Sequence, residues 1–427
     1  MGGFSMSDDK TSNLAQDFAS LVAAAMHELG ASVGPDRLSS LVRQPSKPFW
    51  DDGYRDEVLL VPLRLPKPSL GEAYSNALKL GTESFTSMIF SDAPDVPDVK
   101  INAEYRVWYG TNRQPLVSRG ELSGYSSDRD TQLHFGQCRV FVPKSHKIGS
   151  TGSPFWKRLL TWTDDRLSLL GTDAFTPANF WKAIAAQLQP FPDAEKRAVV
   201  FLHGYNVSFN DAALRAAQIG FDLSIATPMA FFSWPSQGEL GGYSADEATI
   251  EWSADAIEDF LVQFVAQSGA SVVHLIAHSM GNRGLLAAIN SIAQKAQSRT
   301  KIQFGQIILA AADVDADFFR NRYRAYATLA SRTTLYVSTR DFAVGASQWL
   351  HKYPRVGLVP PLFVADGIDT INVTNVDLTM LGHGYIAEAR TVLNDMHRLL
   401  DDGAAPGKRM LNPRTNENGD PYWEFGA

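Results

Sequence analysis

One cysteine, Cys138, stands in a chain of 427 residues. A lone thiol can neither close an internal disulfide nor furnish a cysteine zinc site. The apolar segment Cys138-Arg139-Val140-Phe141-Val142 predicts instead a small buried side chain in a strand. No stretch approaches the roughly 18 uninterrupted apolar residues of a membrane-spanning helix. Basic runs are also missing, and 39 Lys and Arg against 46 Asp and Glu leave a net charge of −7, which offers nucleic acid no electrostatic attraction. No glycine-rich phosphate loop and no metal-spaced His/Cys cluster occurs, so neither a cofactor nor a metal is expected. The opening Met1-Gly2-Gly3-Phe4-Ser5-Met6 has neither the basic start nor the apolar core of a secretory signal. Met6 departs from the myristoylation pattern, and the expected compartment is the cytoplasm.

What is present is ordinary globular composition, 44% hydrophobic and 20% charged, in a chain long enough to bury a large core. Residues 1–100 read as an N-terminal extension of unstated role. They hold a helix over Gln16–Leu29 stopped by Gly30, an apolar run Val58–Leu63 among prolines, a second helix near 71–90, and an acidic, proline-rich linker, Ser91–Asp98. A boundary near residue 100 leaves 101–427 as the main domain.

From there strands and helices alternate. Strands are expected at Tyr105–Tyr109, Cys138–Val142, Ala198–Leu202, Met229–Trp234, Val272–Ala277, Gln303–Ala311, Thr333–Ser338 and Thr370–Val373. Helices are expected at Pro177–Leu188, Asp211–Leu223, Arg283–Ala296, within 314–330, and at Tyr385–Leu400. A single long helix should begin at a capping box, Ser244-Ala245-Asp246-Glu247, and run to Gln267. Near-continuous apolar strands separated by amphipathic helices imply an α/β fold, its mostly parallel sheet covered by helices on both faces.

The strongest local signal is Val272-Val273-His274-Leu275-Ile276-Ala277-His278-Ser279-Met280-Gly281-Asn282, a buried strand followed by a sharp turn and a helix. Small residues flank Ser279 two positions away on each side, as a nucleophile elbow requires, because the turn is strained and the helix packs close to the strand. The helix N-terminus beside the serine favours developing negative charge. The plainer reading, that Ser279 merely caps the helix, is outweighed by the strand-turn-helix context that the motif requires.

A serine hydroxyl needs a positioned base. The partners of such an elbow follow in the order serine, acid, histidine, which points to His383, set between glycines in the loop before the last helix. His351 and His397 are better suited to surface or packing roles. Asp341, directly after strand Thr333–Ser338, is the preferred acid, with Asp313 and Asp315 as rivals one strand earlier. Two backbone N–H groups should hold an oxyanion: Met280, following the nucleophile, and Tyr205, in the His203-Gly204-Tyr205-Asn206 loop after Ala198–Leu202.

These residues resemble the α/β-hydrolase superfamily, and more closely a bacterial serine-esterase-like family long described only as a domain of unknown function. The resemblance rests on Val107-Trp108-Tyr109-Gly110-Thr111-Asn112-Arg113, on Phe201-Leu202-His203-Gly204-Tyr205-Asn206-Val207-Ser208-Phe209, and on Phe232-Ser233-Trp234-Pro235-Ser236. It rests equally on Ile276-Ala277-His278-Ser279-Met280-Gly281-Asn282-Arg283, with Leu335–Ser338, Tyr353-Pro354-Arg355 and the tail Pro421–Phe425. It covers about residue 102 to the end and implies a triad carried by Ser279, Asp341 and His383. Ala277 stands where the superfamily usually has glycine.

Serine at the elbow disfavours the haloalkane dehalogenase and epoxide hydrolase chemistries, which use a carboxylate there, and points to acyl transfer. A small-molecule or polymeric carboxylic ester is the expected substrate. Lipase, polyester hydrolase, thioesterase or amidase activity would use the same triad, and a silent hydrolase fold serving as an interaction module is the rival of another class. The short interval between Gln303–Ala311 and Thr333–Ser338 leaves no room for a large lid. An open site walled by Trp234, Tyr243, Trp349 and Phe363 would suit hydrophobic acyl groups.

Overall fold

The computed structural model describes residues 102–144, 146, 166–238, 242–295, 302–339, 353–374 and 390–425. The expected N-terminal helices and linker, Asp341, Trp349, His351, His383 and the start of the last helix at Tyr385 lie outside them. Ser87–Gly238 and Ser244–Ala427 make up one compact unit.

Eleven strands form one sheet: β1 (Ala103–Ser118), β2 (Glu121–Val142), β3 (Ser168–Phe175), β4 (Arg197–Leu202), β5 (Met229–Ser233), β6 (Val272–His278), β7 (Phe304–Ala310), β8 (Ala330–Val337), β9 (Ile368–Asn372), β10 (Leu411–Thr415) and β11 (Pro421–Phe425). Their order is β10-β11-β9-β8-β7-β6-β4-β5-β1-β2-β3. Pairing is parallel from β1 through to β11, with antiparallel strands added at both edges. The described helices are α1 (Pro177–Leu188), α2 (Phe209–Asp222), α3 (Tyr243–Trp252), α4 (Ala254–Gln267), α5 (Gly281–Lys295), α6 (Ala316–Arg320), α7 (Arg324–Leu329) and α8 (Arg390–Asp402). None of them is long and apolar enough to cross a membrane.

Alternation along the strands divides the core in two. Val199 and Phe201 of β4, Ile276 of β6 and Tyr336 of β8 face α2 and α8, whose Ala213, Ala217, Val392 and Met396 recur at helical spacing. On the other face Phe232 of β5 meets Phe260 of α4 with ring centroids 5.5 Å apart, and Trp108 of β1 meets Phe180 of α1 at 5.6 Å. Truncating Phe260 to alanine would cost about 3–5 kcal/mol.

Two expectations need correction. The β1–β2 hairpin is far longer than two short strands, at 16 and 22 residues. Its outer half alternates polar residues such as Ser123, Asp128 and Asp130 over a solvated face, so it carries no apolar run to betray it. The single helix from Ser244 is two helices broken at Ser253. There the hydroxyl donates to Thr249 O at 2.8 Å and accepts from Asn112 Nδ2 at 3.0 Å, while the Ser253 N–H keeps its own bond to Thr249 O at 3.0 Å. The helix starts at Tyr243, before the expected cap Ser244, and Glu247 pairs with Arg283.

The sheet order also places the site. Leaving β4, the chain passes to β5 on one side, then returns to β6 on the other. Loops leaving the carboxyl ends of β4 and β6 diverge at such a switch point and leave a crevice between them.

Candidate active site

Ser279 sits at the mouth of that crevice. Its φ is +53°, the left-handed region that costs a non-glycine residue about 1–3 kcal/mol. The surroundings hold it there. Ser279 N–H donates to Ala310 O at 2.9 Å, while Ser279 O accepts from the N–H groups of Asn282 at 3.1 Å and Asp313 at 3.3 Å. The Asn282 side-chain amide reaches three carbonyls at once, those of Ala277 (3.3 Å), Ser279 (3.0 Å) and Ala310 (3.2 Å), tying the end of β6, the turn and the end of β7 together. Helix α5 begins at Gly281, so its positive end lies beside the serine. Ser279 is 3% exposed.

The loop after β4 lies against this elbow. A Cβ on Gly204 would stand 2.7 Å from the Ser279 Cβ, and one on Gly281 would stand 2.4 Å from the carbonyl oxygen of His203. Glycine at both positions is what permits the approach. Tyr205 therefore follows a residue in contact with the serine, and Met280, whose side chain is buried, follows the serine itself. Burial, and then the nearby Asp246 carboxylate, raise the Tyr205 phenol above its ordinary pKa.

His203 is not a base for Ser279. Its Nδ1 lies 2.8 Å from Gly204 O, which can only accept, so that nitrogen carries the proton. Its Nε2 then accepts from the Ser233 hydroxyl at 3.3 Å, and Ser233 Oγ in turn accepts from Arg113 Nε at 2.8 Å. Burial first, and the Arg113 charge second, lower the imidazole pKa to about 3. Trp234, expected at a substrate wall, is 0% exposed; it stacks on His203 with centroids 5.0 Å apart and donates from Nε1 to His203 O. Phe363, also expected at the wall, is buried against Phe319 and Tyr323. Tyr243 opens α3.

Of the rival acids, Asp315 accepts from Phe318 N–H at 2.8 Å and caps α6. Asp313 is buried between two guanidinium groups, Arg283 Nη2 at 3.6 Å and Arg355 Nε at 3.5 Å. Arg283 also donates to Asp313 O at 2.8 Å. Both arginines come from the motif stretches, and both pair with Asp313. The interval between β7 and β8 holds only the short α6 and α7.

The reading from sequence missed Arg113, Asp246 and Asn282. Arg113 and Asn282 end or lie within the motif stretches and carry the signal of polar residues beside buried strands. Asp246 was assigned to a helix start.

A mostly parallel sheet with helices on both faces and a strained serine at the turn between β6 and α5 define an α/β hydrolase. The chain belongs to the family described as alpha/beta hydrolase of unknown function (DUF900), whose sequence profile matches residues 179–401, just over half of its length. Among curated proteins none matches it in sequence.

Proposed function

We propose that the chain is a serine hydrolase that cleaves carboxylic esters in the cytoplasm through an acyl-enzyme on Ser279. His383 takes the serine proton and returns it to the leaving alcohol, and Asp341 orients the imidazole. The tetrahedral oxyanion forms against the backbone N–H groups of Met280 and Tyr205, and a water activated by His383 releases the acid. The observation that carries this reading is the φ of +53° at Ser279, with the β4 loop packed onto the turn. A helix cap has no need of either.

A fluorophosphonate probe tests for an activated serine, with the wild type labelled within minutes and Ser279→Ala left unlabelled. p-Nitrophenyl acetate, butyrate and octanoate then test ester chemistry. Labelling with background turnover of all three esters would redirect the assignment to another acyl hydrolase. Absence of labelling leaves the silent-module reading.

A further inference from the structure

Two charged side chains from outside the loop after β4 fix it. Arg113, at the point where β1 leaves β5, donates from Nη2 to Val207 O at 2.8 Å and from Nη1 to Ser236 O at 3.1 Å and Ser126 O at 3.2 Å. Asp246, in the first turn of α3, accepts from Asn206 N–H at 3.2 Å, from the Ser236 hydroxyl at 2.5 Å and from Gln237 N–H at 2.7 Å. The Ser236 hydroxyl oxygen also accepts from Val207 N–H at 3.0 Å. Two charged side chains, one from β1 and one from α3, thus grip the loops after β4 and β5 and meet on Ser236, one at its carbonyl and one at its hydroxyl.

We propose that Arg113 and Asp246 are positioning residues, which hold the loop after β4 so that the Tyr205 N–H keeps its aim at the oxyanion. The loop needs such holding: Asn206, next to Tyr205, has a φ of +57°, and its amide is the group that Asp246 grips. Arg113 is 1% and Asp246 0% exposed. Taking such charges out of water is costly before pairing, and apolar residues would fill the space at lower cost. What apolar residues cannot supply is direction, and here every bond named, apart from that to Ser126, falls on the loop after β4, which packs on Ser279, or on the loop after β5 beside it. The environment acts on both charges, lowering Arg113 to about 9 and raising Asp246, in each case chiefly through burial.

This inference rests on the acyl-transfer reading, so its test includes a readout that needs no substrate. Asp246→Asn keeps the size and removes the charge; Ser236→Ala removes the shared hydroxyl and serves if the first variant folds poorly. Amide hydrogen exchange over 203–208 and 234–238 should accelerate at least tenfold in either variant, with other strands unchanged. Turnover per fluorophosphonate-titrated serine should fall on the order of 10–100-fold in kcat, with KM within about twofold, as expected when a transition-state donor is misaimed. Asp246→Glu, which keeps the charge, should recover part of kcat. Unchanged exchange would overturn the grip itself. Faster exchange with unchanged kcat would leave a packing device and overturn the positioning role. A wild type that takes no probe would overturn the acyl-transfer reading and this role with it, whereas a labelled wild type confines any failure to the clamp.

Discussion

Gly204 and Ser279 come from loops 75 positions apart, yet a Cβ on the glycine would lie 2.7 Å from that of the serine. The contact is side chain on one side only, so an added methyl group must push the β4 loop away from the elbow. Gly204→Ala is expected to lower probe labelling of Ser279 by about 100-fold, the scale of losing one oxyanion donor. Labelling kinetics on the folded variant check this, and near-normal labelling would mean that the loop does not serve Ser279.

Backbone strain at Ser279 makes the elbow a place where activity and stability oppose each other. Ser279→Ala keeps the strain, because alanine also carries a Cβ, whereas Ser279→Gly relieves it. Urea unfolding should find the glycine variant more stable than the alanine variant by about 1 kcal/mol, with both inactive.

Asn282 supplies one amide to three carbonyls. Asn282→Ala withdraws that donor from a buried site and should destabilise by about 1–3 kcal/mol. Asn282→Asp should be worse, since it sets a carboxylate against three carbonyl oxygens. Thermal unfolding of the pair gives the order.

His203 is held neutral with its pKa lowered to about 3, and His274, buried and then further lowered by Arg197, falls to about 4, both from an ordinary 6.5. Below pH 6.5 the unfolded chain therefore binds protons that the native state refuses. Stability should rise as pH climbs from about 4 to 6.5 and level off above, each histidine adding up to about 1.4 kcal/mol per pH unit. Urea titrations at pH 4.5, 5.5 and 6.5 measure the slope, and His203→Gln should flatten it by up to one proton.

The two candidate acids should separate by readout. Asp313→Asn leaves Arg283 and Arg355 facing a neutral group in a buried network and should cost about 3 kcal/mol or more of stability. Asp341→Asn should leave stability intact and lower kcat by about 10⁴-fold, as for a triad acid that sets the histidine tautomer. Equal losses of kcat in both variants would contradict this division.

Sequence by itself determined the central strands, most helices and the elbow, because each is a local matter. Apolar runs such as Ala198–Leu202 and Val272–Ala277 must be buried on both faces, and a small-x-Ser-x-Gly segment set between a strand and a helix marks a serine at a sharp turn. It could not determine the long β1–β2 hairpin, whose polar alternation resembles a loop, nor the break at Ser253, whose hydroxyl is bound by Asn112 more than a hundred residues away. The same holds for the site. Ser279 declares itself by its neighbours in the chain, whereas the roles of Arg113, Asp246 and Trp234 exist only once the sheet order brings the ends of β1, β4, β5 and β6 side by side. An unpaired charge is costly in the interior, so the partner decides what a buried Arg or Asp does, and tertiary structure alone selects the partner.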